Sequence, residues 1–536
     1  MNLVDKLDLD LAWARVKNDS KTDFILSSYL FQIYERHIKE NLAELKEKIA
    51  NGYRVSELWD IDVPKPHFVL RPGTVPKIAD RIYFQALIDA IAPEVEKKII
   101  PITDNVIFSH RLSEKPDDPF IFRQSLWNEF EQKVRDRFDD GKTVLVVTDI
   151  VGFFEHIDFN ILKDMLLRFS CDKEIVDSIY EVLKAWKRRT NINRGIPQGL
   201  WPTDFLGNIY LDSIDKYMLR HGYDYFRYVD DIRISCSTIP EARRALKTLV
   251  EELRRLNLNV QTKKTAIYYG NKVKSFIDEL SERMTEITTE VKEALKEEIA
   301  GEIISEAKYS ELPYGGTIRI DFSDIEDEVE AELEEKKELI EIESLRKFYE
   351  DTIRNTVPSS KHLRFCLNRL SQLKDNIALN RALELLQDMP YESNTIISYL
   401  KNFPDNKKIR ERIIEFLKSD FNIYDWQEMW LLEYFFSCRC LQDDEIDYLW
   451  TVIENHNRHD AVRIRAILLL GRTGLSDHLE RLRDLYDKER DEYVRVSIIV
   501  SLREYDKGPR NYFYNLCKGY SVFIDHAISY MKEISK

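Results

Sequence analysis

The chain has 536 residues and a formal net charge of −15 at pH 7. This length predicts two or more domains, each large enough to bury its own core. The acidic balance excludes a protein that is basic over its whole surface, so any nucleic acid would have to be bound in a local groove. The six cysteines lack the spacing of zinc ligands and predict free thiols in a reducing cytoplasm. The sequence shows no apolar signal core and no run of about 18 apolar residues, so we expect a cytoplasmic protein without a membrane role.

Residues 1–60 are predicted to form amphipathic helices. Apolar side chains recur at roughly helical spacing between Phe24 and Ile33. We expect this N-terminal helical segment to cover the domain that follows it.

Two acidic segments carry the chemistry of the next part of the chain. Residues 144–149 predict a buried strand that ends in the carboxylate of Asp149. Adjacent carboxylates, Asp230 and Asp231, lie between apolar segments; on their own they also fit a tight surface turn. Carboxylates brought together from two strands repel one another unless cations neutralise them, and hard oxygen ligands suit Mg²⁺. The pattern predicts two metal ions, about 3.5 to 4 Å apart, that serve nucleotidyl transfer.

Five segments in order resemble the motifs of reverse transcriptases. They cover roughly residues 65 to 280, and two of them resemble the fingers segment of group II intron and retron enzymes and the motif after the catalytic hairpin. The resemblance implies an α+β fold, with the fingers and palm of a right-hand polymerase at residues 61–280. The five segments are residues 71–81, 149–154 (DIVGFF), 195–199 (GIPQG), 228–231 (YVDD) and 258–265.

The resemblance also implies a set of metal ligands. Asp149 would bridge two Mg²⁺ ions, for which Mn²⁺ is the alternative, and Asp230 would share them. The backbone carbonyl of Ile150 is a further ligand. Asp231 is a weaker candidate for metal binding and catalysis, because pleat geometry points its side chain to the opposite face of the strand.

The resemblance implies further substrate contacts. Phe154 would exclude a ribose 2′-hydroxyl and so select deoxynucleoside triphosphates, a role compatible with core packing beside Phe153. Gln198 would contact the incoming nucleotide or the template. Lys264 would protonate the leaving pyrophosphate, or be a solvated lysine near a strand end. Arg111 would clamp the triphosphate, and Arg81 would be structural or would contact the template strand.

Two other features bear on nucleic acid. Many family members have a small Ser-Pro pair after the Pro-Gln-Gly loop, whereas this chain has Trp201, which makes templated copying less secure than nucleotide addition. Residues 184–189, together with Arg194, mix cations with a tryptophan and predict either a nucleic-acid groove or the solvated end of a helix.

The rest of the chain is predicted to be helical. Residues 281–356 form a charged helical linker or an atypical thumb, because the acidic stretch 321–343 would repel phosphate. Residues 357–536 predict an all-α domain of HEAT-like repeats, since residues 462–470 and 494–502 superimpose at an offset of 32 residues (494 minus 462).

A reverse transcriptase core followed by helical repeats resembles the abortive-infection reverse transcriptases of bacteria and their prophages. This implies antiphage defence, a homo-oligomer, and DNA synthesis without a template. In some members the DNA product is covalently attached to a tyrosine, for which Tyr29, Tyr34 and Tyr53 are candidates, each also readable as a packed aromatic. Two alternatives stay open: templated reverse transcription of a dedicated noncoding RNA, and a non-catalytic scaffold built on the helical repeats.

Overall fold

A computed structural model describes residues 2–534, except 114, 116, 117, 122, 188–191, 310–328, 331, 335 and 474–476. Residues 188–189 of the basic stretch 184–189, and residues 321–328, 331 and 335 of the acidic stretch 321–343, lie outside this description, so the predictions made there are left as predictions.

The N-terminal segment is helical over much of its length. Asp8 caps the first helix by accepting a hydrogen bond from the Leu11 amide at 2.9 Å. Arg15 on that helix pairs with Asp89 at 2.6 Å, which ties the N-terminal segment to the domain that follows. The helices are α1 (Leu9–Asp19), α2 (Ser28–Arg36) and α3 (Ile38–Ala50).

The fingers part begins with a two-stranded antiparallel hairpin that leads into a long buried helix. The hairpin pairs Trp59 with Val75 at its open end and Pro64 with Leu70 near its tip. These elements are β1 (Trp59–Pro64), β2 (Leu70–Val75), α4 (Ile78–Glu96) and, after a loop, α5 (Arg123–Asp139).

The palm part contains a four-stranded antiparallel sheet in the described chain, in which the strands lie in the order 224–228, 231–236, 144–149 and 266–269. Its strands are β3 (Val144–Asp149), β4 (Asp224–Tyr228), β5 (Asp231–Cys236) and β6 (Ala266–Tyr269). Its helices are α6 (Phe153–His156), α7 (Phe159–Arg168), α8 (Lys173–Ala185), α9 (Trp201–Arg220) and α10 (Ile239–Arg255). The register places Asp149 directly opposite Asp231.

Among its described residues, the segment expected to be a charged linker or thumb contains two long helices that pack side by side. They are α11 (Asn271–Tyr309) and α12 (Lys337–Ile353). Ion pairs join them, between Arg283 and Asp351 at 2.5 Å and between Lys347 and Glu290 at 2.8 Å.

The C-terminal region is all α-helical in its described part, which confirms the predicted fold class of an α+β part followed by helices. Helix α13 (Ser360–Leu373) contacts α15 (Ser393–Leu400), which contacts α17 (Asp425–Phe435), and the same alternation continues through α19 (Asp460–Gly471) and α21 (Glu492–Ser501) to α23 (Val522–Ile534). The proposed repeats fall on α19 and α21, which pack together, although Leu502 lies just beyond the second helix. A HEAT-type repeat stays a prediction. The helices are α13 (Ser360–Leu373), α14 (Leu379–Asp388), α15 (Ser393–Leu400), α16 (Lys407–Lys418), α17 (Asp425–Phe435), α18 (Asp443–Ile453), α19 (Asp460–Gly471), α20 (Asp477–Lys488), α21 (Glu492–Ser501), α22 (Lys507–Cys517) and α23 (Val522–Ile534).

The C-terminal helices pack directly against the fingers hairpin. The Trp59 ring meets Tyr493 edge-on, with ring centroids 5.0 Å apart. The Asp60 carbonyl lies 2.8 Å from Nε2 of His459. Strand β1 is therefore held from behind by the helical region. Within the described residues, we find no helix with the length and apolar character needed to span a membrane.

Candidate active site

The adjacent carboxylates lie at the tip of the β4–β5 hairpin. Tyr228 pairs with Asp231, so Val229 and Asp230 form a two-residue turn. Val229 has a φ of 56°, a strained conformation for a β-branched residue. Its amide donates to Ser109 Oγ at 2.8 Å and its carbonyl accepts from Arg227 at 3.2 Å. These contacts fix the turn and thereby the backbone of Asp230.

Asp149 completes an acidic cluster at this end of the sheet. It ends strand β3 opposite Asp231, next to the hairpin turn. Burial, followed by the charges of Asp149 and Asp231, raises the pKa of Asp230 to about 7. Burial and the charge of Asp149 also raise the pKa of Asp231. The fold therefore brings together the three carboxylates that the sequence motifs separate by about 80 residues.

The ammonium of Lys264 is hydrogen-bonded to this acidic cluster. Its Nζ lies 2.5 Å from Oδ2 of Asp149, while its side chain stays 64% exposed. Burial alone would lower the pKa of Lys264, but the hydrogen bond to Asp149 and the neighbouring carboxylates raise it. A charged ammonium in an accessible position can donate a proton to a group bound between the palm and solvent.

A buried ion-pair network that the sequence motifs did not indicate supports the hairpin. Arg227 forms a two-pronged contact with Asp215 of helix α9, at 2.8 Å and 2.7 Å, and both side chains are fully buried. Arg227 also donates to Oδ1 of Asn208 at 2.8 Å, and Tyr225 donates to Asp215 at 2.8 Å. Because Arg227 in turn holds the Val229 carbonyl, helix α9 positions the catalytic turn.

Two cations of the fingers hairpin, of which Lys65 lies within electrostatic range of Asp230, were not singled out from the sequence. Burial, and then the charge of Arg71, lower the pKa of Lys65, which also interacts electrostatically with Asp230. The guanidinium of Arg71 lies over the Phe24 ring, 4.7 Å from its centroid. Neither side chain forms an ion pair among the described residues. Both are therefore available to an anionic ligand.

The Pro-Gln-Gly loop packs along the segment that follows Asp149. The Ile196 amide donates to the Phe154 carbonyl at 2.9 Å. Gln198 lies 3.5 Å from Glu155, beside a cavity of about 220 Å³ that this loop shares with strand β2. Phe154 is half-buried, and the centroid of its ring lies 5.1 Å from that of Phe153. This contact agrees with the core packing that was expected beside its role in nucleotide selection. Trp201 begins α9 and packs edge-on against Phe120, with ring centroids 6.0 Å apart.

Two arginines considered as substrate contacts lie inside the protein, which contradicts the triphosphate clamp expected of Arg111 and agrees with the structural alternative given for Arg81. Arg111 is 1% exposed and pairs with Glu96 through contacts of 2.6 Å and 2.8 Å. Arg81 is also 1% exposed and pairs with Asp19 at 2.8 Å and with Asp23 at 2.7 Å. Both guanidiniums are occupied inside the protein, because acidic partners from remote segments neutralise them.

The three candidate priming tyrosines do not present a free, exposed hydroxyl. The Tyr29 hydroxyl is buried and burial raises its pKa. The Tyr53 hydroxyl donates to Asp80 at 2.6 Å. Tyr34 is 7% exposed and packs against Trp13 and Phe523. These environments contradict the expectation that one of the three tyrosines accepts DNA, because that role needs an exposed hydroxyl.

The residues at the acidic cluster fit divalent cations by chemistry, although no preformed group of three or more acidic, His or Cys ligands occurs in the described chain. Asp149 and Asp230 offer hard carboxylate oxygens. Pairing of Asp149 and Val151 with residues 259–261 leaves the Ile150 carbonyl directed away from that segment. Waters and substrate phosphates commonly supply the remaining ligands of such ions.

Comparison with known proteins finds a family match for one part of this chain. Residues 63–315 match the reverse transcriptase (RNA-dependent DNA polymerase) family. The chain contains a reverse transcriptase domain. The matched residues amount to slightly less than half of the chain, and the family is described as RNA-dependent DNA polymerases.

Solved telomerase structures show weak similarity. Apo telomerase from Candida tropicalis without its C-terminal domain is 14% identical, over 43% of this chain and 55% of its own, with a TM-score of 0.30. The fuller apo structure is 9% identical over 92% and 74%, with a TM-score of 0.32. Candida albicans telomerase with a telomeric RNA fragment is 9% identical over 95% and 69%, with a TM-score of 0.31. The chain thus spans about half the length of the first of these structures. No curated protein sequence matches the chain.

Proposed function

We propose that the reverse transcriptase domain joins deoxynucleotides at the acidic end of the palm sheet. The observation that carries this proposal is the convergence of Asp149, Asp230 and Asp231 beside the Lys264 ammonium. In the proposed reaction a 3′-hydroxyl oxygen attacks the α-phosphorus, the bond from that phosphorus to the bridging oxygen breaks, and pyrophosphate leaves. The proton of the hydroxyl passes to solvent.

Each side chain has a role in this reaction. Asp149 and Asp230, with the Ile150 carbonyl, would hold two Mg²⁺ or Mn²⁺ ions. Such ions, when bound, lower the pKa of the attacking hydroxyl and offset charge on the leaving group. Lys264 gives its proton to the leaving pyrophosphate.

The fingers and the segment after β3 bind the incoming nucleotide. Lys65 and Arg71, which lack ion-pair partners in the described chain, take the place expected for Arg111 and bind the triphosphate. Gln198 contacts the nucleotide from the Pro-Gln-Gly loop. Phe154 lies five residues after Asp149, and its ring excludes a 2′-hydroxyl, which favours deoxynucleotides.

The biological setting is a finer proposal. We propose antiphage defence of the abortive-infection type, with synthesis that needs no template and a homo-oligomeric enzyme. The order of the motifs, Trp201 after the Pro-Gln-Gly loop, and a helical region that packs on the fingers hairpin support it. We also propose that the DNA product is attached covalently to a tyrosine of the protein, without assigning which tyrosine. Templated reverse transcription, as in the matched family's description, is the second candidate.

The test uses purified, nuclease-treated protein with Mg²⁺ and labelled deoxynucleotides, followed by denaturing gels with and without protease. We expect products without added template from the parent, and none from Asp149→Ala or Asp230→Ala. Asp164→Ala, an exposed aspartate on α7, is the matched control and should retain activity.

Two outcomes discriminate among the alternatives. Synthesis that requires added RNA and primer would replace the untemplated proposal with templated copying. Full incorporation by the Asp149→Ala, Asp230→Ala double variant would refute the site, and defence by that variant in cells would favour a scaffold.

A further inference from the structure

Phe24 belongs to the short segment between α1 and α2, yet its ring packs between the fingers hairpin and the Pro-Gln-Gly loop. A Cβ atom on Gly73 of β2 would lie 2.9 Å from Cγ of Phe24. A Cβ atom on Gly199 of the loop would lie 2.7 Å from Cε2 of the same ring. Any larger residue at either glycine would displace the ring. The hairpin and the loop are therefore both shaped to receive Phe24.

The segment that carries Phe24 is held from two directions. Asp19 and Asp23 pair with the buried guanidinium of Arg81 on the fingers helix α4, at 2.8 Å and 2.7 Å. The carbonyl of Phe24 accepts a hydrogen bond from Nε1 of Trp426 on α17, at 3.1 Å. Because both the fingers and the helical region hold this segment, the ring has a fixed position relative to the hairpin.

The ring supports the guanidinium of Arg71, which lies over it at 4.7 Å from the centroid. The quadrupole of an aromatic ring attracts a cation placed over its face. Burial, and then the like charge of Arg364, lower the pKa of Arg71. The Nε of Arg71 is buried without a hydrogen-bond partner among the described residues. Buried polar groups are rarely left unsatisfied, so this guanidinium points to a ligand.

Arg71 shares one face of the fingers hairpin with Lys65. Arg71 pairs with Val63 across the two strands, and Lys65, whose backbone is extended, follows two residues after Val63. The charges of Arg71 and Asp230 both act on Lys65. The hairpin thus presents two neighbouring cations on one face, and one of them lies within electrostatic range of the acidic cluster.

We propose that Phe24 is a positioning residue of the polymerase site and that it acts through Arg71. The ring holds the guanidinium in one orientation, so less side-chain freedom is lost when the triphosphate binds. This role of Phe24 rests on the triphosphate contact proposed above for Arg71. It goes beyond that contact because it gives the N-terminal segment, and Trp426 behind it, a part in nucleotide affinity.

The test measures kcat and KM of the full chain for each of the four deoxynucleoside triphosphates. Phe24→Leu keeps an apolar side chain but removes the ring face. We expect KM to rise about 3- to 10-fold, as for a lost cation–π contact and a newly mobile side chain. We expect little change in kcat, because the carboxylates are untouched. The rise in KM should be similar for all four nucleotides, since they share the triphosphate.

The Arg71→Gln background shows whether Phe24 acts through the guanidinium. Once the cation is gone, Phe24→Leu should change KM by less than about 2-fold further. Phe24→Met is a second variant without the ring, whose flexible side chain fills irregular space. Phe31→Leu is the matched control, because it removes another ring of the N-terminal segment, one that stacks on Trp13, and should leave KM at the parental value. Circular dichroism verifies that each variant is folded.

The outcomes separate this role from the polymerase function itself. A parental KM in both Phe24→Leu and Phe24→Met would overturn the role of Phe24. So would a loss confined to kcat, a rise in KM for only some of the nucleotides, or an undiminished effect in the Arg71→Gln background. A parent chain that incorporates no nucleotide would refute the proposed function, and the role of Phe24 with it.

Discussion

Replacement of Asp215 by Asn is the perturbation whose magnitude follows most directly from the structure. It removes the negative partner of Arg227 from an ion pair in which both side chains are fully buried. The guanidinium would then be a buried charge opposite an amide that cannot neutralise it. Breaking such a pair costs about 3–5 kcal/mol.

This cost converts to a large change in thermal stability. For a unit of the size of the reverse transcriptase domain, each kcal/mol lowers Tm by about 2–4 °C, so we expect a drop of roughly 6–20 °C. Scanning calorimetry of the full chain measures it. Initial rates of nucleotide incorporation, measured below the transition, should fall too, because Arg227 also holds the Val229 carbonyl next to Asp230.

Glu533→Ala is the matched control, since it breaks an ion pair with Arg36 in which both side chains are about half exposed. Surface pairs of this kind contribute about 0–1 kcal/mol. If Asp215→Asn shifts Tm no more than Glu533→Ala does, the buried network does not support the palm as argued.

Three further predictions concern single side chains. Phe154→Ala should admit ribonucleotides, seen as a lower ratio of deoxynucleotide to ribonucleotide kcat/KM; an unchanged ratio would reduce Phe154 to core packing. Lys264→Ala should lower kcat with little change in KM, and Lys264→Arg should restore part of kcat. If the alanine and arginine variants lose the same fraction of kcat, proton donation by Lys264 is contradicted. Burial, and then the charge of His37, lower the pKa of His526, so the unfolded state binds more protons and stability should fall as pH drops below about 6.5. His526→Asn should lessen the loss of Tm between pH 7.5 and 5.5, and an equal loss in both proteins would refute this.

The sequence indicated the acidic cluster because its signals are local. A β-branched run ending at Asp149 and a YVDD segment each predict their own strand and turn, and antiparallel pairing then leaves little freedom in where the carboxylates meet. The helical C-terminal region follows from periodicity in the same way, whereas the α+β class of residues 61–280 was implied by the resemblance to reverse transcriptases. The sequence pattern alone does not establish HEAT-type repeats, because these depend on how successive helices stack.

The remaining site residues depend on contacts between distant segments. Arg81 and Arg111 lie in or near motifs, and only the fold shows that Asp19, Asp23 and Glu96 occupy them. The converse holds for Lys65, an ordinary lysine in the sequence that the hairpin brings within electrostatic range of Asp230. Charge alone does not distinguish a buried ion pair from a ligand contact.

The contact between the helical region and strand β1 has a mechanical consequence. Trp59 and Asp60 are anchored on Tyr493 and His459, and Lys65 lies only five residues beyond Asp60 on the same hairpin. A rigid two-stranded ribbon transmits displacement along its length, so bending of the helical stack shifts Lys65 relative to the carboxylates. A partner protein that binds the C-terminal helices would thus change the rate of nucleotide addition without contacting the palm.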